Sequence, residues 1–151
     1  MSNAQKVNES FILFELGKTS YGIPSRLVQQ MEMLENVTPV PNAPHFVEGI
    51  TLSRGQVIPL INLRKCFGFE KISHDMKTRL IVVNVNGRTV GFIVDTAREF
   101  VMIQSDTIQP PPEQIVGLSG QYLEGIAMLN ERLVLLLNIE EVIKVETFTQ
   151  K

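Results

Sequence analysis

Apolar and β-branched residues gather along the chain in short runs separated by turn signals, the pattern of strands and not of long helices. Leu80 to Val85 and Arg88 to Val94 are two such runs, joined by Asn86-Gly87. A type I′ turn needs positive φ at both central residues, and Asn-Gly supplies it, so the spacing predicts a hairpin. Gly49 to Ser53 and Gln56 to Ile61 predict a second hairpin around Arg54-Gly55. Pro59 has no amide to give a ladder, which predicts an edge or a bulge there. Leu133 to Leu137 does not alternate, which predicts a strand buried on both faces between two lobes. Ser25 to Met33 carries Leu27, Val28 and Met31 at helical spacing but is short, and reads as one helical turn running into a strand.

The same pattern is written twice. Gly49-Ile50-Thr51-Leu52 and Val57 to Leu63 match Gly125-Ile126-Ala127-Met128 and Leu133 to Ile139 at a constant spacing of 76 residues. Phe11 to Ile23 matches Leu80 to Phe92 at a spacing of 69, with Gly22 falling on Gly91. Most matches are apolar on apolar, as expected of a repeated structural unit. The copy of the Arg54 hairpin turns at Asn130-Glu131. Each unit closes on an asparagine, Asn62 or Asn138, where a strand passes into a helical pattern, so both are read as N-caps and not as ligands. Asn138 with Glu141 resembles a capping box. A short helix is expected over Leu63 to Phe67, closed by Gly68, and a longer one from about Ile139 to Glu146. Pro39, Pro41 and Pro44 mark one linker. Pro110-Pro111-Pro112 opens a loop before Glu113, and the polar stretch from Lys71 to Lys77 joins the two copies.

Composition narrows the function classes. The chain has 151 residues, 44% of them hydrophobic and 20% charged, with a net charge of −2. That length suits one domain or two small lobes. The slight negative charge argues against nucleic acid, which needs a basic face. The single cysteine, Cys66, cannot staple the chain and reads as a small, half-buried hydrophobe of a reducing compartment. No apolar run is long enough to span a bilayer, and Met1 to Lys6 lacks the apolar core of a signal peptide, so a cytoplasmic protein is expected.

Candidate chemistry is thin. His45 and His74 stand in loops without metal-ligand spacing to each other or to Cys66. There is no nucleophile elbow and no phosphate-cradling loop. Glu140-Glu141 reads as a solvated helix start. Asp95 follows a strand, as a turn or cap residue without a catalytic partner. No nucleophile, base and oxyanion donor come together, so no enzyme, metal or cofactor is expected. What remains is surface: Val28, Met31, Met33 and Phe46 as apolar anchors, and Arg54 at a hairpin tip as a fork-shaped donor for a partner carboxylate.

From Phe11 to Ile143 the chain resembles the CheW family of bacterial chemotaxis coupling proteins and the homologous regulatory domain of the CheA histidine kinase. The resemblance is carried by Tyr21-Gly22-Ile23-Pro24, by Thr38 to Pro44 with Phe46 and Gly49, and by Arg54-Gly55-Gln56-Val57-Ile58-Pro59 with Asn62-Leu63-Arg64. It continues through Val90 to Asp95, Pro110-Pro111-Pro112 and Tyr122-Leu123-Glu124-Gly125. It implies a mainly β fold of two packed, SH3-like five-stranded barrels with short helices and a C-terminal helix. One domain over residues 9–146 is expected, after a flexible N-terminus of residues 1–8. The repeats span about 11–68 and 80–143, and strands can interleave between the lobes. The family is non-catalytic and couples the cytoplasmic tips of chemoreceptors to a CheA-type histidine kinase. By position, the resemblance assigns Val28, Gln30 and Gly49 to contacts with the kinase regulatory domain. Met31 and Phe46 are added as neighbouring anchors, and Arg54 is assigned to the receptor. The chain departs from the family pattern twice: Leu52-Ser53 stands where Asn-Leu is common before Arg-Gly, and Gln30 where glutamate is common. These departures leave open a specialised paralogue serving another array, and a small-molecule module binding a purine is the alternative.

Overall fold

The structure is a computed structural model and describes residues 8–70, 72–112 and 122–148. The first copy of the repeat supplies β1 (Asn8–Leu16), β2 (Thr19–Pro24), a single 3-10 turn at Ser25–Leu27, β3 (Val28–Met33), β4 (Val47–Ser53), β5 (Gln56–Asn62) and α1 (Leu63–Cys66). The second supplies β6 (Arg79–Val85), β7 (Arg88–Val94), β8 (Thr96–Gln104), a 3-10 turn at Ser105–Thr107, β9 (Leu123–Leu129), β10 (Arg132–Leu137) and α2 (Ile139–Phe148). Asn8 already belongs to the first strand, so the expected flexible N-terminus does not reach it; residues 1–7 lie outside the described residues. So do residues 113–121, where the loop after the three prolines was expected.

The strands form two five-stranded sheets, ordered β8-β1-β2-β10-β9 and β3-β6-β7-β5-β4. Each lobe therefore combines the first hairpin of one copy with the last three strands of the other, and the two orders are identical once copies are matched. The exchange is made by two short parallel pairings, β10 with β2 and β5 with β7. At one end of each, Gly22 faces Leu136 and Gly91 faces Leu60. A Cβ on Gly22 would lie 2.9 Å from Leu136 Cδ2, and one on Gly91 would lie 2.7 Å from Leu80 Cδ1 and 3.0 Å from Leu60 Cδ2. Glycine lets these strands pass against large side chains.

Three apolar clusters follow from strand alternation. Phe11 and Leu13 of β1 turn into the first lobe with Ile103, Ala127, Val134 and Leu136. Leu80 and Val82 of β6 turn into the second with Ile58, Leu60 and Ile93. The opposite faces of the same strands, Ile12, Phe14 and Leu16 with Ile81, Val83 and Val85, meet in one core between the lobes, joined by Leu137, Ile139, Val142 and Ile143. β1 and β6 are thus buried on both faces. β10 is not, since Leu133 is 55% exposed, a correction to the run expected to be buried throughout; the strand's outer end clears the neighbouring lobe. Pro59 lies in a strand flanked on both sides, but it precedes Leu60, the first residue paired with β7, so no ladder bond to β7 is lost.

Both asparagines are caps. Asn62 Oδ1 accepts from the Lys65 amide and Asn138 Oδ1 from the Glu141 amide, each at 3.3 Å. Only half of the expected capping box forms, because the Asn138 amide donates to the Tyr122 carbonyl at 2.8 Å. The matching amide of Asn62 donates to the Phe46 carbonyl.

Candidate functional site

The residues singled out in the sequence converge on one rim of the second lobe, where its two edge strands, β3 and β4, stand. A register shift between Val28 and Gln30 re-aims β3. Beyond it Gln30 and Glu32 turn inward, half-buried, while Met31 and Met33 turn outward at 44% and 51% exposure. The Gln30 amide donates both to the Ser53 hydroxyl of β4 and to Glu32 Oε2. Ser53 in turn donates to the same Glu32 oxygen at 2.9 Å. This closed triangle ties the two edge strands together across the rim. Val28 is half-buried against the core between the lobes.

Arg54 follows Ser53 directly, at the tip of the β4–β5 hairpin. Its φ is +51° and that of Gly55 is +80°, the geometry of a type I′ turn. The other two such hairpins place Asn86 and Asn130 at this position, with φ of +54° and +50°. Asparagine tolerates the left-handed region and arginine does so poorly, at a cost of roughly 1–2 kcal/mol. Arg54 is exposed and makes no ion pair among the described residues. A strained, unpaired guanidinium at an exposed tip has no packing role.

Two of the expected contact residues are internal. Phe46 is 4% exposed and belongs to the core between the lobes, so it supports the rim from beneath and offers no surface to a partner. Gly49 is buried with φ of +152°, and a Cβ there would lie 2.2 Å from the Thr38 carbonyl oxygen. Thr38 bridges β4 by paired bonds with Ile50, at 2.8 and 2.9 Å. The close backbone approach at Gly49 is therefore made by the chain itself. Gly125 repeats it beneath the Gln109–Ile126 bridge, with a Cβ position 2.4 Å from Ile108 Cγ2.

Asp95 is structural. The Arg64 guanidinium of α1 grips its carboxylate with Nε at 2.8 and 3.1 Å and Nη2 at 2.8 Å, while the Gly17 amide donates at 2.7 Å. Burial alone would raise the Asp95 pKa, but the Arg64 bonds and charge and the Gly17 bond together hold it below the usual carboxylate range. No local signal in the sequence pairs the two, since Arg64 stands in a helix 31 residues before Asp95.

An apolar cavity and a polar cleft lie between the lobes. The cavity, of about 230 Å³, is lined by Tyr21, Cys66, Phe67, Phe69, Tyr122 and Leu123 among others, and the rings of Phe14, Tyr21, Phe67 and Tyr122 follow one another at 5.5, 5.7 and 5.7 Å. The cleft, of about 270 Å³, is bordered by Arg26, Asn84, Asn86, Glu124, Asn138 and Glu140. No cluster of three or more His, Cys, Asp or Glu able to hold a metal occurs among the described residues. No helix among them is long and apolar enough to cross a membrane.

The comparisons agree with this geometry. The CheW-like domain family matches residues 10–147. The chain is 36% identical to the chemotaxis protein CheW of Klebsiella aerogenes over 142 residues, covering 94% of this chain and 86% of that protein. It is 35% identical to the chemotaxis protein CheW of Helicobacter pylori, covering 89% and 81%. The crystal structure of the scaffolding protein TtCheW from Thermoanaerobacter tengcongensis superposes with a TM-score of 0.85 at 29% identity, covering 91% of this chain and 94% of that one. With two SH3-like barrels and these relatives, the chain belongs to the CheW-like family of non-catalytic chemotaxis adaptors.

Proposed function

We propose that this adaptor couples chemoreceptors to a CheA-type histidine kinase. It does so as a single domain over residues 9–146, in the cytoplasm, held at receptor arrays on the inner membrane by its partners. The observation that carries the reading is Arg54, strained, exposed and without an ion pair among the described residues, at a position where the two related hairpins use asparagine. Its fork suits a carboxylate on a receptor tip. Val28, Gln30 and Met31 form the adjoining surface offered to the kinase regulatory domain. Phe46 and Gly49 shape that surface without touching the partner. Co-sedimentation with a CheA-type regulatory domain and a receptor cytoplasmic tip tests this: both should bind, and Arg54→Ala should lose the receptor while keeping the kinase domain. A folded protein that binds neither refutes it.

The purine alternative finds a polar cleft of about 270 Å³. It is lined both by buried residues, Pro24, Val85, Leu137 and Ile139, and by exposed ones, Arg26, Asn86, Glu124 and Glu140. A rim with a strained donor favours protein partners over a small ligand.

A further inference from the structure

Glu32 stands out on the rim because half of its carboxylate is used and half is not. Gln30 and Ser53 both donate to Oε2, which fixes the plane of the group. Among the described residues none donates to Oε1 and no cation pairs with the carboxylate. The nearest cation across the strand ladder is that of Arg79, opposite Met33, and it is spent on the Met76 and Thr78 carbonyls. The half-buried acid is flanked in sequence by Met31 and Met33, whose exposed thioethers would exclude water from a seated partner. A fixed acceptor loses little freedom on binding, and an ion pair drawn out of water is strengthened.

We propose that Glu32 is a partner-binding residue whose free Oε1 accepts from an arginine or lysine of the kinase regulatory domain, with Gln30 and Ser53 as its positioning residues. This rests on the adaptor reading above and adds to it the charge that the partner must carry. Gln30 then has a second role on that surface, because its amide also orients the anion.

Titration of the kinase regulatory domain at low and high salt tests the proposal. Glu32→Gln keeps the size of the side chain and an oxygen for the two donors, so the fold should be retained, as checked by thermal melting. It should weaken binding about tenfold at low salt, the loss of one charge-assisted bond, and flatten the salt dependence. Gln30→Ala and Ser53→Ala should each weaken binding by a smaller factor, with little further loss when combined with Glu32→Gln. If the wild-type chain binds and Glu32→Gln binds equally well with the same salt dependence, Glu32 is not a contact and the proposal falls alone. Loss of receptor binding in place of kinase binding would overturn the assignment to the kinase. A wild-type chain that binds neither partner overturns the adaptor reading and this proposal with it.

Discussion

The Gln30 amide donates to the Ser53 hydroxyl across the open edge of the second barrel. The resemblance to the family marks these as the two departures from its pattern, and they touch. A serine at 53 offers an acceptor to an amide at 30 and a donor to Glu32, a combination that two apolar or two acidic residues cannot supply.

Gln30→Glu should break this arrangement in a pH-dependent way. Two carboxylates would then converge on one hydroxyl, and their repulsion raises the pKa of one in the folded state. A raised carboxyl pKa means that the folded state binds more protons, so the penalty is present at neutral pH and fades as pH falls. The expected loss is about 1 kcal/mol, or roughly 2–4 °C in melting temperature at pH 7, shrinking near pH 4.5. Equal melting of variant and wild type at pH 7 would count against the triangle.

Asp95 gives the opposite pH sign. Its pKa is lowered in the folded state, so its contribution is present above the unfolded value of about 3.9 and is lost as pH falls through the folded value. Side-chain exposures of 19% for Asp95 and 15% for Arg64 place the pair between surface and core. Asp95→Asn should cost about 1–3 kcal/mol at pH 7, because Arg64 keeps its charge and loses its acceptor. Urea unfolding at pH 7 and pH 3 checks both parts: the gap between wild type and variant should be wide at pH 7 and narrow at pH 3.

The glycines should rank by what their missing Cβ would meet. At Gly22 it would meet the tips of Leu136 and Leu13, which can shift by rotation. Gly22→Ala should cost about 1–2 kcal/mol. At Gly49 it would meet the Thr38 backbone, in a conformation with φ of +152° that side chains avoid, so Gly49→Ala should cost clearly more. Chemical denaturation of both variants tests the order. Gly49→Asp, a natural choice for disrupting a partner interface, should fail first by loosening the bridge between Thr38 and Ile50.

The hairpins, their turn residues, the two caps and the 3-10 turn before β3 were legible because each is decided by two to five neighbouring residues. The duplication was legible as spacing; the exchange of strands was not, and only the family resemblance raised it. Whether β2 pairs with β5 or with β10 depends on contacts more than a hundred residues apart. β8 went unread, although Phe100 and Met102 stand 69 residues after Met31 and Met33, the spacing that matched β1 with β6. The exposed tip position of Arg54 was readable from its turn. Phe46 and Gly49 are buried, which was not legible, because an apolar residue or a glycine looks the same in sequence whether it faces a partner or its own core. Glu32 was overlooked because a single acid in a strand gives no sign that its neighbours will fix it.

Cys66 closes the list of tests. It lines the apolar cavity beside Tyr21 and Phe67, and burial pushes its thiol up to about 11. The thiolate is the reactive form, so at pH 7.5 only roughly one molecule in three thousand carries it, against about one in ten for a free cysteine. Alkylation by iodoacetamide should be slow in the native protein at pH 7.5, faster near pH 10.5, and fast at either pH once the chain is unfolded. The same shift sets a stability slope. A thiol pKa raised by folding means that the folded state holds its proton longer, so stability falls as pH rises from about 8.5 toward 11. Cys66→Ala should remove that part of the slope, at the cost of a slightly larger cavity. Rapid labelling of the folded protein at pH 7.5 would show instead that the cavity opens and exposes the thiol to water.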